Sequence, residues 1–441
     1  VSERWRWAAL GFVVAVSAFF HGTMLLTRPV VVDLDAPSYI APAVEMIRHH
    51  RFWGWNPLAY AFPQPGTAPL GPETIRTPGY PVFLAAIIAL DLPLATAVWV
   101  QHLIGVALAA AAFLFVDLAL RRRAGALVAG LLIGTNPALV FCAHQYMADV
   151  LAAAAVVAAL FCTYRLTREG SIRWAIAAGL LTGYATLVRP IAFAWFVPLA
   201  AIVAMRAARA VTAAFLAAAL VLPLAWTARN YAVTGVATIS SIAQENMLLG
   251  NAAGALALRD KPLLVGLTAM QENTGYYDVL RKIKPGLADA ALAEARADGI
   301  DPRRASHAVR SRYYGRLGWR ILLRHIPEAA ELSVSAFIEM FFYTYARSAA
   351  PWISSGSLLL YLTMACGGAI LAAAIGGLVV LRREDPALAW LLAVTIVYFA
   401  ILPAIGGADT RFAIPFTPAY AIAAGVGIEQ LIARRGRAAT A

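Results

Sequence analysis

The chain has 441 residues, of which 61% are hydrophobic and only 14% charged. A soluble domain carries about 25% charged residues, so the composition excludes an ordinary water-soluble fold and points to lipid. The net charge of +12 does not point to nucleic acid, because its arginines gather in short groups at the ends of apolar segments: Arg121 to Arg123, Arg206 and Arg209, Arg382 and Arg383, and Arg434, Arg435 and Arg437.

In chain order, Arg4 and Arg6 precede an apolar segment at 7–26. No small-residue cleavage site leads from it into a soluble region, so it reads as an uncleaved first span. The stretch 33–81 is too polar to cross a bilayer and too rich in Pro, Gly and Trp for a plain linker; it holds Asp33, Asp35, Glu45, Glu73, Arg48 and Arg76. Residues 78–90 are apolar but form only about 20 Å of helix, against about 30 Å for a crossing, and are expected to lie at the interface. Further spans are expected over 98–120, 125–141, 147–164, 174–188, 191–205 and 211–226. A polar region, 227–350, interrupts the series before three more near 358–381, 387–403 and 412–432.

The expected fold is an all-α polytopic membrane protein of about ten transmembrane helices with both termini cytoplasmic. That arrangement puts every short basic cluster inside. It divides the chain into an N-terminal membrane module (1–226) carrying the loop 27–77, an extracytoplasmic region (227–350) and C-terminal helices (351–441). Loop 27–77, the 142–146 turn, Arg189-Pro190 and Asp409-Thr410-Arg411 then share the outer face. Ionisable residues near the membrane are costly and usually functional, so this clustering predicts an outward-facing site. Within 227–350, segments 286–299 and 302–325 have helical periodicity, and 327–345 is amphipathic with Phe341, Phe342, Tyr343 and Tyr345 at its tip. These read as helices on the membrane surface or as walls of an acceptor groove. Cys142, Cys162 and Cys366 fall in or at apolar segments without metal-ligand spacing and read as small core residues.

Several motifs then bring a family into view. Asp33-Leu34-Asp35 just after the first span, Tyr39, and Thr77-Pro78-Gly79-Tyr80-Pro81 are followed by Gln145-Tyr146-Met147-Ala148-Asp149 at the start of a span. Leu187-Val188-Arg189-Pro190, Arg229-Asn230-Tyr231 with Asn246 and Gly250-Asn251, and Arg411-Phe412 with Pro415 and Pro418 complete the order. The set resembles the polytopic GT-C glycosyltransferases, nearest to the protein O-mannosyltransferases and lipid A aminoarabinose transferases. The resemblance implies a sugar donor on a polyprenyl phosphate, an acceptor (lipid, glycan or protein) attacked at the outer membrane face, and inversion at the anomeric carbon.

Such a displacement needs a carboxylate to take the acceptor's proton and guanidinium groups to hold the leaving phosphate. Asp35 is the expected base, with Asp33 as competitor; one of the two could instead cap the helix beginning near Pro37. Asp149 is expected to assist, or to act only as an N-cap. Arg189 and Arg229 rank first as phosphate holders, then Arg411 and Arg347, each weighed against snorkelling to headgroups. Arg76 is expected to gate or anchor the loop, near Tyr39 and Tyr80. Asp-x-Asp also admits a divalent metal, with Glu73 and His144 as further ligands. Phe52, Trp53, Trp55 and Tyr60 are expected in an interfacial aromatic belt.

No glycine-rich phosphate loop follows a strand, so no nucleotide site is expected. A transporter or flippase would place charges and broken helices at mid-membrane. A lipid-linked polysaccharide polymerase or ligase differs in its donor, a lipid diphosphate oligosaccharide.

Overall fold

The computed structural model describes residues 3–33, 35–55, 70–259, 276–342, 358–405 and 410–438. Arg347, Tyr60, Tyr343, Tyr345 and Asp409 lie outside the described residues. Helices α1 (Glu3–Thr27), α2 (Ala36–His49), α3 (Gly79–Ala89) and α4 (Thr96–Ala119) open the fold. Between α2 and α3, β1 (Trp53–Trp55) pairs antiparallel with β2 (Leu70–Pro72). Next come α5 (Arg123–Gly134), α6 (Pro137–Ala143), α7 (Asp149–Glu169), α8 (Ile172–Val188), α9 (Phe196–Ala204) and α10 (Arg209–Thr234).

Seven described helices are long and apolar enough to cross a membrane; α5 and α6, bent by 45°, make an eighth if taken as one span. The bend follows from Asn136-Pro137. Proline ends α5's hydrogen-bond ladder, and the Asn136 side chain accepts from Leu139 N at 2.9 Å to start α6. The expected count of about ten is therefore not reproduced. The segments expected at 174–188 and 191–205 form shorter apolar helices at Ile172–Val188 and Pro190–Ala204. Arg189-Pro190 interrupts them, and Pro190–Trp195 is wound as a 3-10 helix.

Exposed Trp7, Phe12, Phe19 and Leu26 on α1 show why this bundle belongs in lipid. Between the helices, Phe113, Trp195, Phe399 and Phe416 are buried in one continuous core. The basic clusters meet at one end of the bundle: Arg122 reaches Glu384 at 2.5 Å, Tyr164 donates to Asp385 at 2.9 Å, and Arg6 pairs with Asp117.

The remaining helices are α11 (Ile242–Asn246), a π-helical turn (Met247–Ala252), α12 (Ala253–Leu258), α13 (Tyr276–Ala297), α14 (His307–Arg324) and α15 (Ile326–Phe342). They have apolar clusters of their own, one around Leu248, Leu292 and Tyr314 and another around Leu258, Leu280 and Leu332. Helix α15 joins these to the membrane core, because its far end carries Met340 and Phe341 into it.

The chain closes with α16 (Leu358–Glu384), α17 (Pro386–Ile405), a 3-10 turn (Thr410–Phe416) and α18 (Thr417–Ala438). A Cβ at Gly377 of α16 would sit 1.8 Å from Ala423 O of α18, and one at Gly427 would sit 1.9 Å from Ala373 O. Small residues let helix backbones meet in lipid. Gly377→Val is expected to force these helices apart at a cost of about 1–3 kcal/mol or more, read as a lower unfolding midpoint in detergent.

Candidate functional site

The start of α2, the turn before α3, the turn before α7, the end of α8 and the start of the Thr410–Phe416 turn surround a cavity of ≈ 550 Å³. Its charged lining is Asp35, Arg76, Asp149, Arg189 and Arg411; Tyr39, Met147, Asn246, Asn251, Trp319 and Phe412 also face it. The volume lies within the roughly 300–1,000 Å³ of small-molecule sites.

Asp35 stands before α2, yet its side chain makes no cap bond. Instead Oδ1 accepts from Arg76 Nη2 at 2.6 Å and Oδ2 from Arg411 Nη1 at 3.0 Å. Arg76 is further fixed by Ser38 Oγ at 2.8 Å and Tyr39 Oη at 3.2 Å. Asp149 is the first residue of α7, whose N-cap position is taken by Ala148, and it pairs with Arg189, whose guanidinium lies 4.7 Å from the Phe412 ring centroid. The capping alternatives for Asp35 and Asp149 are thus not the geometry adopted. Asp33 is half-buried and does not line the cavity; its carbonyl accepts from Ala36 N at 3.0 Å.

The other expected site residues lie elsewhere. Arg229 donates to Glu73 O at 2.5 Å and Phe52 O at 2.7 Å, so it clasps the two strands of the hairpin region rather than facing the cavity. Phe52 packs edge-on against Trp226, with ring centroids 5.0 Å apart. Tyr80 is buried and donates to Gln101 Oε1 at 2.6 Å. His144 is buried between His102 and the carbonyls of Arg28 and Pro29.

Glu73 is 2% exposed. Its Oε1 accepts from the backbone of Ile75 at 2.5 Å and Arg76 at 2.9 Å, which shapes the turn that presents Arg76. Its Oε2 has no hydrogen-bond partner among the described residues and abuts Gly54. Burial raises its pKa to about 7, against the lowering pull of those amides, Arg76 and Arg229. A carboxyl with a raised folded-state pKa stabilises the fold fully below its unfolded value of 4.5, and that contribution is lost as pH climbs through about 7. Glu73→Gln is expected to abolish that fall, on the order of 3 kcal/mol, in unfolding curves measured from pH 4 to 8.

Among the described residues no three of His, Cys, Asp and Glu gather at metal-binding spacing. Both cavity carboxylates are already engaged by guanidinium groups, and Glu73 and His144 do not line the cavity. This donor set does not fit a divalent ion, and no step below is routed through one.

A second buried assembly is not legible as a motif. Ser241 Oγ sits 2.6 Å from His307 Nδ1, and His307 Nε2 sits 2.5 Å from Glu245 Oε2. Ser241 N donates to Thr74 O at 2.8 Å and Ser240 Oγ to Ile75 O at 2.6 Å. The group ties α11 and α14 to the turn carrying Arg76. Its only sequence signal is a few polar residues in an already polar region.

No family model and no curated protein matches the chain. Solved structures share its architecture. The archaeal oligosaccharyltransferase AglB of Archaeoglobus fulgidus, in complex with an inhibitory peptide and a dolichol-phosphate, aligns with a TM-score of 0.54 at 14% identity. An Archaeoglobus fulgidus oligosaccharyltransferase tethered to an acceptor peptide aligns at 0.53 and 13%. Each alignment covers 98% of this chain and 50% of the other, so the chain spans half the length of those proteins. The likeness is one of fold: an all-α membrane protein of GT-C-like architecture.

Proposed function

We propose that the chain is an inverting membrane glycosyltransferase that moves a sugar from a polyprenyl-phosphate donor to an extracytoplasmic lipid, glycan or protein acceptor. The observation that carries this reading is the single cavity in which two carboxylates, Asp35 and Asp149, meet three guanidinium groups, Arg76, Arg189 and Arg411. Among the described residues, three positive and two negative charges leave the lining at +1. A sugar–phosphate–lipid diester carries one negative charge and balances it, whereas a lipid diphosphate would overshoot.

In this reading Arg76, Arg189 and Arg411 hold the leaving phosphate through charge-assisted bonds, and Asp35 is the base. In the resting protein both Asp35 oxygens are occupied by guanidinium groups. Arrival of the donor phosphate draws Arg411 away from Oδ2 and frees that oxygen for the acceptor's proton. The acceptor attacks the anomeric carbon, the C–O bond to phosphate breaks, and the lipid phosphate departs with the bonding electrons. Asp149, held by Arg189, keeps that arginine aimed into the cavity. Donor therefore binds before acceptor.

The oligosaccharyltransferase fold favours a second reading, transfer of an oligosaccharide from a lipid carrier. One experiment tests both. Purified protein is incubated with polyprenyl-phosphate monosaccharides or with lipid-diphosphate oligosaccharides, and release of the leaving lipid phosphate or lipid diphosphate, with the product's anomeric configuration, is followed. Release from the monophosphate donors alone, with inversion, is expected. Release from the diphosphate donors alone would replace the first reading with the second, and release from neither would defeat both.

A further inference from the structure

Among the buried histidines that the mechanism leaves unused, three lie in one row. His21 on α1 and His102 on α4 are each 2% exposed, and His144, just after α6, is 0% exposed. His21 Nδ1 lies 2.7 Å from His102 Nδ1, and His102 Nε2 lies 3.2 Å from His144 Nδ1. His144 Nε2 lies 3.1 Å from Arg28 O and 3.0 Å from Pro29 O.

This order assigns every proton. Carbonyl oxygens only accept, so His144 carries its hydrogen on Nε2 and offers a lone pair on Nδ1. His102 must then donate from Nε2 and accept at Nδ1, which makes His21 the donor through Nδ1–H. His21 Nε2 is left as a bare lone pair, and no hydrogen-bond partner among the described residues meets it. It packs against Gly105, where a Cβ would stand 2.7 Å away. A proton added to the chain would be a buried charge with no acceptor at that end, which is costly in an apolar surround.

The chain joins the two segments that deliver the cavity acids. Residues 28–31 lead directly to Asp35, and residues 143–145 lead directly to Asp149. His144 holds the first pair of carbonyls, and its own carbonyl accepts from Val31 N at 3.4 Å. Gln101, the neighbour of His102, donates to Ala143 O at 3.0 Å and Gln145 O at 2.6 Å. Helix α4 thus grips the 143–145 turn with one side chain and, through the next, ties it to α1.

We propose that His21, His102 and His144 form a neutral imidazole chain with one proton direction that sets the separation of Asp35 and Asp149. His102 and His144 are positioning residues in it. The kinetic consequence rests on the glycosyl-transfer reading; the tautomers do not.

The test has two arms. Nitrogen-15 NMR of histidine-labelled protein in nanodiscs should find His102 and His144 protonated at Nε2 and His21 at Nδ1. A different tautomer at any of the three, or an imidazolium, overturns the proposal. In the second arm, His102→Leu removes both bonds, and His102→Gln keeps a donor for His144. Turnover should fall at least tenfold in the leucine variant and recover at least in part with glutamine, while affinity for bare polyprenyl phosphate changes less than twofold. Unchanged turnover in a folded leucine variant, equal impairment of both variants, or loss of phosphate affinity in step with turnover would overturn it. If the leucine variant does not fold, the NMR arm decides. Wild-type protein that transfers nothing while showing the expected tautomers would defeat the glycosyl-transfer reading and leave the imidazole chain standing.

Discussion

Asp35→Asn is expected to lower transfer by about 10²–10⁴-fold, the span that general-base catalysis contributes, while the protein still folds and inserts. The amide keeps the shape and can still accept through one oxygen from Arg76 or Arg411, but it cannot take a proton. Of the two acids following α1, Asp35 faces the cavity and Asp33 does not line it. Asp33→Asn is therefore expected to leave at least a third of the activity. Turnover of a saturating polyprenyl-phosphate donor, measured on both variants, checks the pair. Retained activity in Asp35→Asn would remove this residue as base, and loss in Asp33→Asn alone would move the role to its neighbour.

Arg411→Ala is expected to weaken donor binding by roughly 10–100-fold, since hydrogen bonds to charged groups contribute about 1.5–3 kcal/mol. Its guanidinium lines the cavity, bonds Asp35 and stands 3.7 Å from Met147 Sδ. Lysine at this position should restore the charge but not the planar fork, and so recover only part of the affinity. Arg229→Ala gives the contrast. Because Arg229 clasps the carbonyls of Phe52 and Glu73, its loss should lower the unfolding midpoint more than it raises the donor Kd. Titration of polyprenyl phosphate against each variant, beside its thermal unfolding curve, separates the two. A larger loss of donor affinity in Arg229→Ala would return the phosphate to that residue.

Hydropathy shows the long helices because lipid demands an unbroken apolar run, and α1, α4, α7, α10, α16, α17 and α18 appear as such. It misjudges the stretch around Arg189-Pro190, where two apolar runs are shorter helices separated by a 3-10 turn. The cavity residues Asp35, Asp149, Arg189 and Arg411 can be named from the sequence because each is an ionisable group at the edge of an apolar segment. Arg229 has the same signature and turns the other way. Spacing along a chain says which end of a helix a guanidinium occupies, not which carbonyl it will meet. Arg76 was expected to anchor the loop and is found bonded to Asp35. His21 and His102 leave a faint trace, as single imidazoles inside largely apolar helices. Their partnership exists only once α1 and α4 are packed.

Asp35 and Arg411 are 376 residues apart, and that distance has a consequence for synthesis. A ribosome delivers the acid long before this second guanidinium, so a nascent chain stalled between the two holds Asp35 without Arg411. Such an unfinished copy has neither the charge balance nor the full phosphate clamp of the proposed enzyme. Under the proposed function, such a copy is expected to hold its donor only weakly, with no separate inhibitor required.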